Sequence, residues 1–307
     1  MKISSSRQEM LSISPADLRP LPAAFEPDEL VANSRFSECL SKSASALLAI
    51  HRRLPREVRY VADIQKWLLS QTTLALHFEH ANDPQNPPIS PTNLLNLLRG
   101  LPIASKNTAL AFLQEMRHYK MVEEIPSSDR RRHLFKATIE TEQLIGLWVL
   151  THMEALDAID DGFRAELMQM QPELLNHVQP LMTRQLIQNP AWYDPPESIA
   201  IFTQADSGTS IIHDLATRAP WELSGEVIWI GPATSHSIAA QYVVSQSHTA
   251  RILARSRIAG LIGWELPRSR GNCWVSANLV QDYRYWQALK FSALSKALFQ
   301  AVRLLKK

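Results

Sequence analysis

The sequence predicts a mainly helical chain with small β-hairpins, which places it in the α+β class. Apolar residues recur at the three-and-four spacing of amphipathic helices over much of its 307 residues. Turn-rich stretches of Pro, Asn, Asp and Ser separate these segments, and two such stretches connect short runs typical of hairpin strands. With 45% hydrophobic and 20% charged residues, the chain has the composition of a globular protein with a packed core.

Charge is distributed unevenly along the chain, although the formal net charge is only +2. Residues 251–307 contain eleven Lys and Arg against two acids, whereas residues 137–200 contain two Arg against ten acids. A segment with such a basic excess is expected to face a polyanion.

Several classes of protein are excluded by composition and motifs. No run of about 18 apolar residues is present, and the N-terminus lacks the apolar stretch of a secretory signal, so we expect a cytoplasmic protein with no membrane partner. Cys39 and Cys273 lie far apart with no CxxC spacing, which predicts reduced thiols. Without an HExxH, GxSxG or glycine-rich phosphate loop, we expect no metal, no cofactor and no enzymatic activity.

The first third of the chain contains an arm and two helices. Residues 1–35 are rich in Ser, Pro and isolated charges, and are expected to form a loosely ordered arm. From Phe36 the apolar spacing is helical, and Asp63 is placed to cap a second helix over 64–78. The proline-rich stretch 79–90 then breaks the pattern.

Two helices and a hairpin follow this break. Residues 91–101 predict a short apolar helix, and Ser105 is placed to cap a second one over 105–125. The segments MVEEIP, SSDRRR and HLFKATI then read as strand, tip and strand. This order is that of a winged helix-turn-helix, with three arginines at the tip of the wing. From residue 142 to 188 the chain is helical again, with an interruption near Asp160.

The winged segment is predicted to occur twice. A shift of 141 positions aligns 89–138 with 230–279 without a gap, with seven identities and conserved apolar positions. SQSHTARILARSRIAGLI (245–262) then becomes a second recognition helix, and PRSRGN (267–272) a second wing tip. ADSGTSIIHDLA (205–216), with Asp206 as its cap, and 283–307 match the helices before and after the first wing. The alternative is one such domain followed by an unrelated α+β domain.

The basic residues of both copies are candidate DNA contacts. A helix fits the major groove, an arginine on a narrow tip can enter the minor groove, and both displace counterions from the phosphates. The candidates in the first copy are Ser105, Lys106, Asn107, Thr108, Gln114, Arg117, Asp129, Arg130, Arg131 and Arg132. Those in the second copy are His248, Arg251, Arg255, Arg268 and Arg270.

Residues 91–141 resemble the winged helix of MarR-type transcriptional regulators. The wing of that family carries Asp, a basic residue and Arg, followed by Leu-Thr, and DRRRHLFKAT supplies Asp129, Arg130, Arg131 and Thr138. The resemblance implies that Asp129 orients the wing and that Arg131 enters the minor groove. Ala137 stands where the family has Leu, and Thr141 where it commonly has Gly. The second copy departs further, with Arg270 at the position of the aspartate.

The resemblance implies a regulator that binds duplex DNA. Two copies in one chain predict a monomer with pseudo-two-fold symmetry, and a homodimer remains an alternative. Other possibilities are a tandem winged-helix plasmid replication initiator and a protein-interaction module. In the latter, the basic second copy would bind the acidic middle of its own chain or of another subunit.

The predicted domains are an arm (1–35), a first winged-helix domain with flanking helices (36–160), a helical connector (161–197) and a second winged-helix domain with the C-terminal helix (198–307). Aromatic residues and one methionine could form either core or a pocket for a small aromatic effector: Trp148, Met153, Trp192, Tyr193, Trp229 and Trp286. No individual ligand residue is assigned from the sequence.

Overall fold

The computed structural model describes residues 21–53, 63–126, 133–242 and 244–306. It is 66% helical and contains two small antiparallel sheets, so the predicted α+β class is confirmed. None of the helices in the described ranges combines the length and apolar character needed to cross a membrane.

The helices are α1 (Pro27–Ala32), α2 (Phe36–Arg53), α3 (Ile64–Asn82), α4 (Pro91–Leu97), α5 (Lys106–His118), α6 (Ile139–Asp160), α7 (Arg164–Met170), α8 (Leu175–Ile187), α9 (Pro190–Tyr193), α10 (Glu197–Thr203), α11 (Gly208–Thr217), α12 (Ser235–Tyr242), α13 (Gln246–Ile258) and α14 (Ala277–Leu305). The strands are β1 (Val122–Ile125), β2 (Leu134–Ala137), β3 (Val227–Pro232), β4 (Ile262–Leu266) and β5 (Arg270–Ser276). A single 3-10 turn, Pro172–Leu174, precedes α8.

The winged helix-turn-helix order occurs twice. In the first copy α3, α4 and α5 precede the β1–β2 hairpin, to which Ile89 adds one antiparallel bridge at Phe135. In the second copy α11, α12 and α13 combine with a three-stranded sheet of order β3-β5-β4. The long helices α6 and α14 follow the two hairpins directly.

The repeat of elements contains gaps, so the ungapped shift of 141 positions is wrong. Ser105 and Ser245 cap the equivalent helices α5 and α13 and are 140 positions apart. Thr138 and Ser276 cap α6 and α14 and are 138 positions apart. The second copy is therefore two residues shorter between these caps, because turns vary in length more freely than packed elements do.

The helix α14 lies at the centre of the molecule. Helices α1, α6, α8 and α10 pack against it, while α3 packs against α8, and α2 against both α6 and α11. Eighteen of the 29 residues of α14 are buried, as expected of a helix enclosed on most sides. One hydrophobic core therefore includes residues of both copies.

The part of the N-terminal arm that the structure describes is ordered. Phe25 N donates to Ser295 Oγ at 3.0 Å, and Ser292 Oγ donates to Phe25 O at 2.7 Å. The expectation of a loosely ordered arm is thus wrong for residues 21–35, because α14 supplies partners about 270 positions away that no local pattern reveals. Residues 1–20 lie outside the described ranges.

The start of α11 also differs from the prediction. Its N-cap is Ser207, in the left-handed region with φ 58°, and no side-chain capping bond forms there, so Asp206 is not the cap. Gly208 passes so close to α10 that a Cβ would lie 2.0 Å from Phe202 O. The start of α11 is therefore packed closely against the end of α10, and the predicted cap by Asp206 does not form.

Candidate nucleic-acid interface and ligand cavity

The first recognition helix, α5, leaves most of its predicted contact residues on the surface. Lys106, Asn107 and Gln114 are exposed. Ser105 Oγ accepts a hydrogen bond from Thr108 N at 3.2 Å and lies 2.9 Å from Thr108 Oγ1. These two hydroxyls therefore cap the helix. Capping already accounts for their presence at this position, without any contact to DNA.

Arg117 is exposed but already has an acidic partner. Its Nη2 lies 3.2 Å from Glu124 Oε2, and the other oxygen of Glu124 lies 2.9 Å from His133 Nδ1. The hydrogen bond from His133 lowers the pKa of Glu124, with a smaller contribution from Arg117. Part of the positive charge at this end of α5 is thus neutralised within the protein. The predicted tip residues Asp129, Arg130, Arg131 and Arg132 lie outside the described residues.

The second copy presents a denser basic surface. Arg251, Arg255 and Arg257 are exposed on α13, and Arg268 and Arg270 are exposed at the β4–β5 turn. In the described part of the chain, none of these five arginines forms an ion pair with a carboxylate. We regard these five exposed arginines, on the helix and at the turn, as a candidate interface and call them the second basic surface.

The turn of the second wing consists of residues 267–269, between β4 and β5. Arg268 and Ser269 both have left-handed backbones, with φ of 63° and 55°. Two successive positive φ values are typical of the turns that match strand twist in a short hairpin. Arg268 lies in this turn and is exposed.

His248 is held by the protein rather than directed to solvent. Its Nε2 donates to the backbone oxygen of Asp206 at 2.7 Å, and Nδ1 accepts from Arg251 Nη2 at 3.2 Å. These two hydrogen bonds connect α13 to the segment that precedes α11. We therefore regard His248 as a positioning residue for Arg251, which is a change from the predicted direct contact.

Several carboxylates of the acidic middle of the chain are paired away from the second basic surface. Asp160 lies 2.6 Å from the fully buried Arg164, and Asp161 lies 2.7 Å from Arg35. Glu142 lies 2.8 Å from His77. The alternative in which α13 binds the acidic segment of its own chain is therefore not observed in the described ranges.

A large cavity lies between the two copies. It has a volume of about 860 Å³ and receives residues from α2, α3, α6, α9, α11, α12 and α14, together with the end of α5 and β1. Four tryptophans line it: Trp67, Trp148, Trp192 and Trp286. The rings of Trp192 and Trp286 are stacked, with centroids 4.7 Å apart and planes at 10° to each other. The ring of Trp67 meets that of Trp192 edge-on, with centroids 5.4 Å apart. This volume is within the usual range for small-molecule sites.

Charged side chains of both signs line this cavity at exposed positions, namely Arg117, Lys120, Glu123, Glu124 and Glu140, whereas Lys290 and Gln287 line it at buried positions. Lys290 is 4% exposed, and burial lowers the pKa of its ammonium to about 7. Gln287 is 1% exposed, and its Nε2 has no hydrogen-bond partner among the described residues. Burial also lowers the pKa of His213 to about 3, so its neutral ring can accept a hydrogen bond from Tyr283 OH at 2.7 Å.

The predicted aromatic set is only partly in the cavity. Trp148, Trp192 and Trp286 line it, whereas Met153 is in the core and Trp229 is 54% exposed on β3. Tyr193 is half-buried and is not among the lining residues.

Sequence reasoning missed Trp67, Gln287 and Lys290. For the last of these a signal existed, since Lys290 follows Trp286 by four positions on a helix that is otherwise apolar on that side.

Comparisons with known protein families, curated proteins and solved structures find no match to this chain. Within the described ranges, no group of three or more His, Cys, Asp or Glu side chains is arranged to hold a metal ion.

Proposed function

We propose that the protein is a transcriptional regulator that binds duplex DNA through its winged helices and responds to a small aromatic effector in the central cavity. The observation that carries this proposal is the second basic surface, whose five arginines are exposed and lack acidic partners in the described part of the chain. Unpaired cations on a recognition helix and a wing can each displace a phosphate counterion.

The two copies would contribute unequally. The second copy carries the unpaired arginines of α13 and its turn, whereas the described part of the first copy has Arg117 neutralised by Glu124. The exposed Lys106, Asn107 and Gln114 would supply the contacts of α5. A monomer with two unequal copies would favour a DNA site whose two halves differ in sequence.

The cavity is placed to couple an effector to DNA binding. It is lined by Met116 and Tyr119 at the end of α5 and by Trp286 of α14, so one occupant would touch elements of both copies. A ligand that binds one relative arrangement of the copies more tightly would shift the population towards it.

The test is a fluorescence-anisotropy titration of the full chain with random duplex DNA over a series of salt concentrations. Replacing Arg251 and Arg255 together by Ala should weaken binding and reduce the slope of log affinity against log salt by about one to two units, since each lost phosphate contact removes roughly 0.9. Wild-type protein without duplex preference over an acidic polymer would refute the proposal.

A matched control removes two other exposed charges, Arg303 and Lys306, near the end of α14. These substitutions change the net charge equally but lie outside the proposed interface. A control that reduces the salt slope as much as the Arg251 and Arg255 pair does would show that binding follows net charge alone.

Exposed apolar residues favour a second candidate, a protein-interaction module. Trp229 on the edge strand β3 is 54% exposed, and Ile258 at the end of α13 is 83% exposed. Retention of a protein partner at high salt, abolished by replacing Trp229 with Ser, would favour this function over DNA binding.

A further inference from the structure

We propose that the outer face of the second wing binds single-stranded DNA by stacking its unpaired bases. We use the name outer sheet face for the side of β3, β5 and β4 that carries Trp229, Trp274 and Glu265. This binding mode differs from the proposed binding of duplex DNA, because it uses a surface that the recognition helix α13 does not include. The two modes share only the arginines at the β4–β5 turn.

The two faces of this sheet differ in how they are covered. Side chains alternate between the faces along each strand. On the inner face Ile228 and Val275 are buried in the hydrophobic core. On the outer face Val227 is 41% exposed and Trp229 is 54% exposed. In the described ranges, the outer side of β3 is therefore an apolar surface in contact with solvent.

Two tryptophans occupy neighbouring positions on the outer sheet face. Trp229 of the edge strand β3 is the direct cross-strand partner of Trp274 on the central strand β5. The indole of Trp274 occupies the space that a Cβ at Gly263 on β4 would take. The glycine therefore allows this ring to lie against β4, directed away from β3. As a result, Trp274 leaves the ring of Trp229 open to an outside group.

The end of this face at the β4–β5 turn is positively charged. Arg270 shares the outer face with Trp274, since the two residues are four positions apart on one strand, about 13 Å along it. Arg268 is exposed in the turn, and neither arginine forms an ion pair with a carboxylate in the described ranges. Glu265 lies near this end, where its Oε2 accepts hydrogen bonds from Asn272 N and Nδ2, both at 3.2 Å. Two cations beside one anion favour a negatively charged partner.

An exposed indole beside two arginines suits the chemistry of a single strand. Unpaired bases stack on aromatic side chains while the phosphates that join them bind arginine. In a duplex the bases are stacked on one another, so only their edges are reached from the grooves. We choose DNA over RNA because α13, which precedes β4 directly, is a helix that fits the major groove of DNA but not the narrow one of RNA.

The experiment compares two single-stranded probes of equal charge, a labelled strand of about twelve thymidine nucleotides and an abasic strand of the same length. The anisotropy of each probe is measured while the full chain is added. The wild type should bind the thymidine strand at least about fivefold more tightly, because stacking of one base raises affinity by roughly fivefold to a hundredfold.

Two results with the wild type would count against this binding mode. Equal binding of the thymidine and abasic strands would overturn it and leave Trp229 to the protein-interaction alternative. A uridine strand of the same length should bind no more tightly than the thymidine strand. Tighter binding of the uridine strand would overturn the choice of DNA.

The test variant is Trp229→Ala, which should lose most of the preference for thymidine, whereas Trp229→Phe should keep it because the ring remains. The affinity of Trp229→Ala for duplex DNA should stay the same, since a duplex offers no base face to the indole. The matched control is Tyr285→Ala, which removes another exposed aromatic ring, on α14, and should behave as the wild type. A thymidine preference that survives Trp229→Ala would contradict the proposed stacking.

Failure of base stacking and failure of duplex binding give different results. A wild-type chain that prefers duplex DNA to an acidic polymer but binds thymidine and abasic strands equally would retain the proposed function and lose the stacking mode. A chain that prefers the thymidine strand but shows no duplex preference would retain the stacking mode and lose the proposed function.

Discussion

At the scale of single residues, Lys290 shows how this fold places a charge where the sequence pattern predicts apolar packing. Desolvation is the first cause of its lowered pKa, and no carboxylate in the described ranges compensates for it. The folded state therefore binds a proton less readily than the unfolded chain. The lysine is expected to reduce stability in the absence of a ligand.

The prediction concerns Lys290→Met, which keeps most of the side-chain volume without the charge. Between pH 7 and the pKa of an unfolded lysine the unfolded state binds more protons than the folded one, so wild-type stability should rise with pH. The variant should be more stable than the wild type at pH 7, and this advantage should shrink by about 2 kcal/mol between pH 7 and pH 9. Urea unfolding at both pH values measures it, and a constant difference would contradict it.

Arg164 is the opposite case, a buried charge with two carboxylate partners. It is fully buried, and its guanidinium donates to Asp157, Asp160 and the backbone oxygen of Ala23. A charge buried with its partners is retained at modest cost, whereas the loss of one partner leaves the rest unpaired. This arrangement also occupies Asp157 and Asp160 of the acidic segment.

At the scale of elements, both recognition helices end in the same way. The residue after the C-cap is Lys120 in the first copy and Gly260 in the second, with φ of 57° and 70°. A left-handed residue at this position closes the helix, and glycine adopts that backbone at the lowest cost. The two copies thus share a backbone conformation at this position although the residue types differ.

Because a lysine occupies this left-handed position in the first copy and a glycine in the second, substitutions at the two positions should change stability in opposite directions. Lys120→Gly should raise the free energy of unfolding by about 1 kcal/mol, and Gly260→Ala should lower it by a similar amount. Thermal or urea unfolding monitored by far-UV circular dichroism measures both. As a control, Tyr119→Gly changes the preceding residue, whose φ is −82°, and should destabilise. Equal effects of Lys120→Gly and Tyr119→Gly would show that backbone geometry is not the cause.

The helix and strand order was largely predictable because its signals are local. Asp63 and Ser105 cap their helices as expected, accepting hydrogen bonds from Lys66 N and Thr108 N. The hairpin strands Val122–Ile125 and Leu134–Ala137 also lie where the sequence places them. Each of these features depends on residues a few positions apart, so single-sequence reasoning reaches them.

At the scale of the whole molecule, the long helices unite the two copies. Trp286 Nε1 donates to Trp192 O, and α14 packs against helices from both halves of the chain. The predicted boundaries at 36–160, 161–197 and 198–307 assign these packed helices to separate domains. Equilibrium unfolding experiments show whether these predicted domains unfold separately or in one cooperative transition.

We expect the full chain to unfold in a single transition. Because α14 buries residues against both halves, separating the halves would expose a large apolar surface. Tryptophan fluorescence and circular dichroism should therefore give coincident urea curves, and the calorimetric and van't Hoff enthalpies should agree. Two resolved transitions would support the independent domains predicted from the sequence.

The sequence by itself determined the fold class, the two winged segments and the basic character of the second one, because periodicity, caps and charge are properties of neighbouring residues. Only the tertiary structure decided which cations lack partners and where the cavity lies. Glu124 reaches Arg117 across a helix and a strand, and Trp67 meets Trp286 through Trp192 although they are more than 200 positions apart. A helical period indicates that a face is buried, but the identity of the neighbours that bury it depends on how all the helices pack.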